Sequence, residues 1–143
     1  MSYTYKYPRP AVCVDCVIFS HDRSCILLIK RANEPFKESW ALPGGFIEMD
    51  ETLEESAKRE LEEEAGLKNI TLKQFYAYGN PGRDPRGRVI SIAFWGVLDV
   101  PESPVCAGSD AKKAKWFHMK KLPSLAFDHS EIISNALTMV FHA

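Results

Sequence analysis

The chain has no long apolar run, no long basic run, no internal repeat and no low-complexity linker. No apolar stretch approaches the roughly 18 residues that a membrane-spanning helix needs. The segment from Met1 to Lys6 does not read as a signal peptide, so the expected compartment is the cytoplasm. With a net charge of −1 and no clustered Lys and Arg, the electrostatic footprint of a nucleic-acid polymer binder is missing. A phosphate-bearing partner would need something other than bulk charge to hold it. A metal ion is the obvious means.

Cysteine is also sparse, with four in 143 residues. Cys13 and Cys16 form a C-x-x-C, but no second pair exists to complete a zinc site. Both fall in the apolar stretch Ala11 to Phe19, which reads as a strand. Residues three apart on a strand point to opposite faces, so these thiols diverge and are expected to be buried and reduced.

What is present is the composition of an ordinary globular protein, 45% hydrophobic and 26% charged, in a length that fits one domain over residues 1–143. Ala11 to Phe19 and Cys25 to Lys30 read as strands around a turn at His21-Asp22-Arg23. Leu-Pro-Gly-Gly interrupts regular structure between Trp40 and Phe46. A helix is expected from Thr52, where Thr52 and Glu55 make a capping box, to a stop at Gly66. Strands follow over Ile70 to Tyr78, Arg88 to Val100 and Lys115 to Met119. Asp128-x-x-Glu131 is expected to cap a closing helix that runs to about Val140. Many strands with one early and one late helix make an α/β layered domain.

The early helix has an unusual distribution of charge. At about 100° per residue, Leu53, Ala57, Glu60 and Glu64 share an arc of roughly 60°, flanked by Leu61 and Glu63. Glu55, Lys58 and Glu62 face away and read as a solvated surface. Glu60, Glu63 and Glu64 do not, because like charges three and four apart repel, and carboxylates beside a core need a compensating cation. Hard oxygen ligands at this spacing suit Mg²⁺ or Mn²⁺, which also accept phosphate oxygens. Gly44-Gly45 just upstream is either a plain turn or a place where backbone approaches a ligand.

Gly45 to Leu67 resembles the Nudix box, G-x5-E-x7-R-E-U-x-E-E-x-G-U with U aliphatic. Gly45, Glu51, Arg59, Glu60, Leu61, Glu63, Glu64, Gly66 and Leu67 occupy every specified position. The resemblance implies an α/β fold of Nudix type, an α/β/α sandwich with a mixed central sheet. It implies a Mg²⁺- or Mn²⁺-dependent hydrolase of a diphosphate bond in a small-molecule nucleotide. By this likeness Glu60, Glu63 and Glu64 ligate the cation, with the Gly44 carbonyl as a further ligand. Arg59 orients Glu60, Glu51 helps pair Arg59, and Glu63 or Glu64 is the base. In several Nudix groups the base lies on a loop outside the box. Asp110 is the candidate second acid here and Glu102 a weaker one, although Lys112, Lys113 and Lys115 stand where many members carry a Glu.

Specificity must come from outside the box. Asn80 to Arg88 carries the Pro and Gly that a turn needs, plus three arginines that a turn does not need. Arginine suits phosphate recognition, because its planar fork binds two oxygens at once. Pro81, the Arg-Asp-Pro-Arg-Gly-Arg run and the late Leu-Ala-Phe-Asp-His resemble ADP-ribose pyrophosphatases, which implies ADP-ribose cut to AMP and ribose 5-phosphate. Arg31, Phe46, Arg83 and Arg86 are the candidate substrate contacts, while Asp128 is assigned to the helix cap. Glu38 departs from the pattern, standing where related chains often place Gly. The alternatives are a nucleoside triphosphate or dinucleotide pyrophosphatase, and a non-catalytic ADP-ribose sensor. The sensor is disfavoured because all box carboxylates are present and 143 residues leave no room for the sensor proteins' DNA-binding domain. A homodimer is a further expectation, with Tyr3, Tyr5 and Tyr7 as an interface strand.

Overall fold

The computed structural model describes residues 2–100 and 111–142. Seven strands and two helices follow the order β1 (Ala11–Phe19), β2 (Cys25–Arg31), β3 (Trp40–Ala41), β4 (Gly44–Phe46), α1 (Leu53–Ala65), β5 (Lys73–Tyr78), β6 (Val89–Val97), β7 (Ala111–His118) and α2 (His129–His142). A 3-10 turn at Met119–Lys121 follows β7. No described helix is long and apolar enough to cross a membrane.

One mixed sheet runs β3-β2-β1-β6-β5, with β4 added to β1 and β7 to β2. Its axis is β1, which pairs parallel with β6 over nine residues and antiparallel with β2 and β4. Strand alternation sorts β1 into two faces. Val14, Cys16 and Ile18 pack with Ala57, Leu61 and Ala65 of α1, whereas Val17 and Phe19 pack with Ile132, Ile133 and Ala136 of α2. The sheet therefore lies between the two helices, as the α/β/α expectation requires.

Local signals fix the ends of α1. Thr52 Oγ1 accepts from the Glu55 N–H at 3.1 Å, and a Glu55 carboxylate oxygen accepts from the Thr52 N–H at 2.8 Å. Gly66 closes the helix in the left-handed region at φ 71°. Ala57, Glu60, Leu61 and Glu64 are buried along one stripe, and Glu55, Lys58 and Glu62 are exposed.

Several boundaries differ from the sequence reading. Gly44 and Gly45 are not a turn but part of β4, facing Asp15 and Val14 of β1. A Cβ on Gly44 would meet the Val14 carbonyl oxygen at 2.1 Å, so close backbone approach is what requires glycine there. β5 starts at Lys73 rather than Ile70, and β6 ends at Val97 rather than Val100. β7 begins at Ala111, four residues earlier than expected, because pairing with β2 carries it along the sheet.

Cys13 and Cys16 are both buried, free and on opposite faces of β1. Burial pushes the Cys13 thiol up to about 12 and the Cys16 thiol well above its ordinary value.

Candidate active site

The acidic half of the site hangs on Arg59. Its Nε donates to both Glu51 oxygens, at 2.8 and 3.1 Å. Its Nη1 donates to Glu60 at 2.8 Å and Glu63 at 3.2 Å, and its Nη2 to the Phe46 carbonyl at 3.1 Å. One guanidinium thus joins α1, the loop before it and β4. The Arg59 bond holds the Glu51 carboxyl down at about 2, helped by the Ser56 hydroxyl.

Across from α1 lies the glycine corner. The Gly44 N–H donates to Glu64 Oε1 at 2.7 Å. A Cβ on Gly45 would sit 2.6 Å from Glu60 Oε1, so only glycine lets the carboxylate lie against β4. Glu60 and Glu64 are 7% and 5% exposed, while Glu63 reaches solvent.

Glu48, Glu60, Glu63 and Glu64 line this part of the cleft, with Arg31 and Arg59 as its cations. Carboxylates and backbone carbonyls, without thiolate or imidazole in this half, are donors that fit Mg²⁺ or Mn²⁺. Among the described residues no three His, Cys, Asp or Glu side chains converge into a ready-made ligand set. Glu60 and Glu63 are drawn instead onto the same Arg59 nitrogen.

The cleft continues past Gly44, Gly45, Phe46 and Glu64 into a second half lined by Asp15, Arg31, Arg83, Asp84, Arg86, Phe127 and His129. Arg31 and Arg86 converge there. Arg31 donates from Nε to the Pro35 carbonyl at 2.7 Å and sits 5.1 Å from the Phe127 ring centre. Burial, and then the charge of Arg86, depress the Arg31 pKa below its ordinary value. An anion between the two guanidinium groups would relieve that repulsion. Asp84, 3% exposed, holds Arg86 through bonds to its N–H at 2.9 Å, Nε at 3.0 Å and Nη2 at 2.7 Å.

Arg83 behaves differently from Arg86. It touches the cleft wall, but its side chain is 3% exposed and its fork is engaged by Asp128 at 2.9 and 2.6 Å. Burial opposes its charge, and Asp128 more than compensates, raising its pKa. Asp128 is thereby corrected as well: its carboxylate serves Arg83, and the backbone carbonyl of Asp128 receives the first helical N–H groups of α2. Sequence cannot foresee a partner 45 positions away.

Asp15 escaped the sequence reading, and Phe127 and His129 were noted only as part of the Leu-Ala-Phe-Asp-His likeness, without a role; all three line the cleft. Asp15 is 5% exposed; it accepts from the Ser91 hydroxyl and faces His129 Nε2 at 3.4 Å. The Leu42 N–H donates to His129 Nδ1 at 3.0 Å, which assigns the proton of the neutral ring to Nε2. Phe127 presents its ring to both Arg31 and Arg86. A signal for Asp15 was available: a lone carboxylate in an otherwise apolar strand demands partners. Asp110 and Glu102 lie outside the described residues.

The structure is a mixed sheet between two helices, with a glutamate-lined cleft along one of them. The NUDIX domain model matches residues 9–136, and the chain belongs to this family. It is 50% identical over 129 residues to the ADP-ribose pyrophosphatase of Methanocaldococcus jannaschii, covering 90% of this chain and 74% of that protein. The NUDIX domain of Shewanella oneidensis NrtR complexed with ADP ribose superposes with a TM-score of 0.86 at 31% identity, covering 96% of this chain and 94% of that one. A bifunctional NMN adenylyltransferase/ADP ribose pyrophosphatase from Francisella tularensis, complexed with AMP and a manganese ion, gives a TM-score of 0.80 at 31% identity. That alignment covers 94% of this chain but 43% of the bifunctional one, so this chain spans less than half its length.

Proposed function

We propose that this chain hydrolyses the diphosphate of ADP-ribose to AMP and ribose 5-phosphate. The observation that carries the reading is the two-sided cleft: glutamates of α1 on one wall, Arg31 and Arg86 beside the Phe127 ring on the other, with Gly44, Gly45 and Phe46 between them. Similarity to an ADP-ribose pyrophosphatase and to an ADP-ribose-bound NUDIX domain supports the substrate. The manganese ion in the Francisella structure supports a divalent cation.

In this reading Glu60, Glu63, Glu64 and the Gly44 carbonyl hold Mg²⁺ or Mn²⁺. When bound, the cation neutralises the diphosphate and lowers the pKa of the attacking water. Arg59 orients Glu60, and Glu51 holds Arg59 in place. Glu63 or Glu64 takes the proton of the water, with Asp110 as the alternative acid. Arg31 and Arg86 bind phosphate oxygens and fix the diphosphate against the glutamate wall. Arg83 leaves the list of direct contacts, since its fork is already spent on Asp128.

Incubation with ADP-ribose and Mg²⁺, followed by chromatography, tests the reading against a Glu64→Gln control. AMP and ribose 5-phosphate from the native chain alone support it. Binding without any cleavage would turn the protein into a sensor. Tyr3, Tyr5 and Tyr7 are exposed but do not form the expected interface strand, since the first strand begins at Ala11; light scattering of the purified chain tests the homodimer.

A further inference from the structure

His129 opens α2, is 3% exposed and has no part in the catalytic reading. Its Nδ1 accepts from the Leu42 N–H at 3.0 Å, across 87 positions of sequence. Leu42 and Pro43 link β3 to β4, and the residue after them is Gly44, the candidate ligand carbonyl. Pro43 has no N–H, so the Leu42 N–H is the one backbone donor of this buried link. Without an acceptor it would be an unpaired buried amide, which folded proteins rarely tolerate.

Three consecutive residues here are each tied to a different element. Leu42 is held by His129 of α2, the Pro43 carbonyl by the Cys16 N–H of β1 at 2.9 Å, and the Gly44 N–H by Glu64 of α1 at 2.7 Å. The imidazole also reaches Gly44 from a second direction. Its Nε2 faces Asp15 Oδ1 at 3.4 Å, and Asp15 pairs with Gly44 in the β1–β4 ladder. The same Oδ1 lies 2.6 Å from where a Cβ on Gly44 would stand. The ring therefore bridges the residue two before Gly44 and the residue across from it. Ser91 of β6 donates to the other Asp15 oxygen and anchors the far end of the bridge.

We propose that His129 is a positioning residue for the cation site: it fixes the backbone from Leu42 to Gly44 so that the Gly44 carbonyl and Glu64 meet one divalent cation. The inference rests on the reading of Gly44 and Glu64 as ligands. His129 lines the arginine half of the cleft and not the glutamate half, so it acts through the Leu42 bond rather than by touching the cation. Groups that orient metal ligands in this way change metal affinity or rate by about ten- to a hundredfold when removed.

Titration of the full chain with Mn²⁺, with the free ion followed by electron paramagnetic resonance, reads this without turnover. Two variants divide the functions of the ring. Asparagine places an oxygen near the Nδ1 position, where it accepts from Leu42, whereas glutamine places its amide nearer Nε2 and leaves Leu42 unpaired. His129→Gln is expected to weaken Mn²⁺ binding about tenfold or more, while His129→Asn stays close to the native chain. A packing role alone would lower the thermal midpoint of both variants and leave Mn²⁺ affinity unchanged. That result overturns the proposal, as does equal weakening by both variants. If either variant fails to fold, ¹⁵N spectra of the native chain decide. Saturation with Mg²⁺ should move the Leu42 amide and His129 Nδ1 signals, and signals that stay in place overturn the proposal. A native chain that binds no Mn²⁺ removes the cation reading and this inference together, whereas native binding that His129→Gln leaves intact removes this inference alone.

Discussion

The Gly44 N–H donates to Glu64 Oε1 at 2.7 Å, so the strand that carries a candidate ligand carbonyl is tied directly to the candidate ligand carboxylate on α1. This bond couples sheet and helix at the middle of the cleft. It also separates the two glycines by what each one faces.

Gly44 faces backbone and Gly45 faces a side chain. Backbone cannot yield, so Gly44→Ala is expected to destabilise the protein by about 3 kcal/mol or more, read by urea denaturation. Gly45→Ala displaces the Glu60 carboxylate instead. It should lose roughly a hundredfold or more in kcat while keeping most of its stability. Equal effects of the two substitutions on stability and rate would contradict the assignment.

Arg83 and Arg86 are three residues apart in one loop but have opposite roles. Arg83→Ala leaves Asp128 and the buried Asp15 without their cation and should cost about 3 kcal/mol of stability. Arg86→Ala removes an exposed group facing the cleft. It should raise KM for ADP-ribose about tenfold, which Arg83→Ala should not, and it also lowers the thermal midpoint because the buried Asp84 loses its guanidinium partner. Thermal melts and steady-state kinetics on both variants decide the matter.

Glu38 occupies a left-handed position at φ 72°, held by its N–H bond to the Arg31 carbonyl at 2.9 Å and an ion pair with Lys30 at 3.6 Å. Glu38 thus adopts a backbone conformation that favours glycine. Glu38→Gly should stay within about 1 kcal/mol of the native stability, because relief of strain offsets added chain entropy. Glu38→Val, branched at Cβ, should lose more than about 1 kcal/mol.

The β1–β2 turn carries a pH signature remote from the cleft. Asp22 accepts from the Ser24 N–H at 3.0 Å and from the hydroxyls of Ser24 and Ser20. The Ser24 backbone bond foremost, then the hydroxyls, hold its carboxyl at about 2, below the ordinary 3.8. A lowered folded pKa means stabilisation that is complete above 3.8 and lost as the pH falls through about 2. Asp22→Ala should melt below the native protein at neutral pH, and the gap should close in that acid window. A gap independent of pH would contradict the carboxylate's role.

The acidic half of the cleft was legible because one helix carries nearly all of it. Helical spacing alone brings Glu60 and Glu64 onto the buried stripe, and the capping box and Gly66 mark the ends of α1. The other half comes from the parallel register of β1 on β6 and from the docking of α2. Asp15 meets Ser91 and His129, and Arg83 meets Asp128, across separations that no local pattern encodes. The Gly44-Gly45 pair was ambiguous for the same reason, since only β1 alongside it makes close approach rather than a turn the cause.

The most direct test of the account compares kcat/KM for ADP-ribose with that for nucleoside triphosphates and dinucleotides, under one Mg²⁺ concentration and with Glu64→Gln as the blank. The account predicts ADP-ribose as the preferred substrate, with AMP and ribose 5-phosphate as products. A nucleoside triphosphate turned over more efficiently than ADP-ribose would contradict it, leaving the glutamate wall of the cleft but not the reading of its arginine and aromatic side.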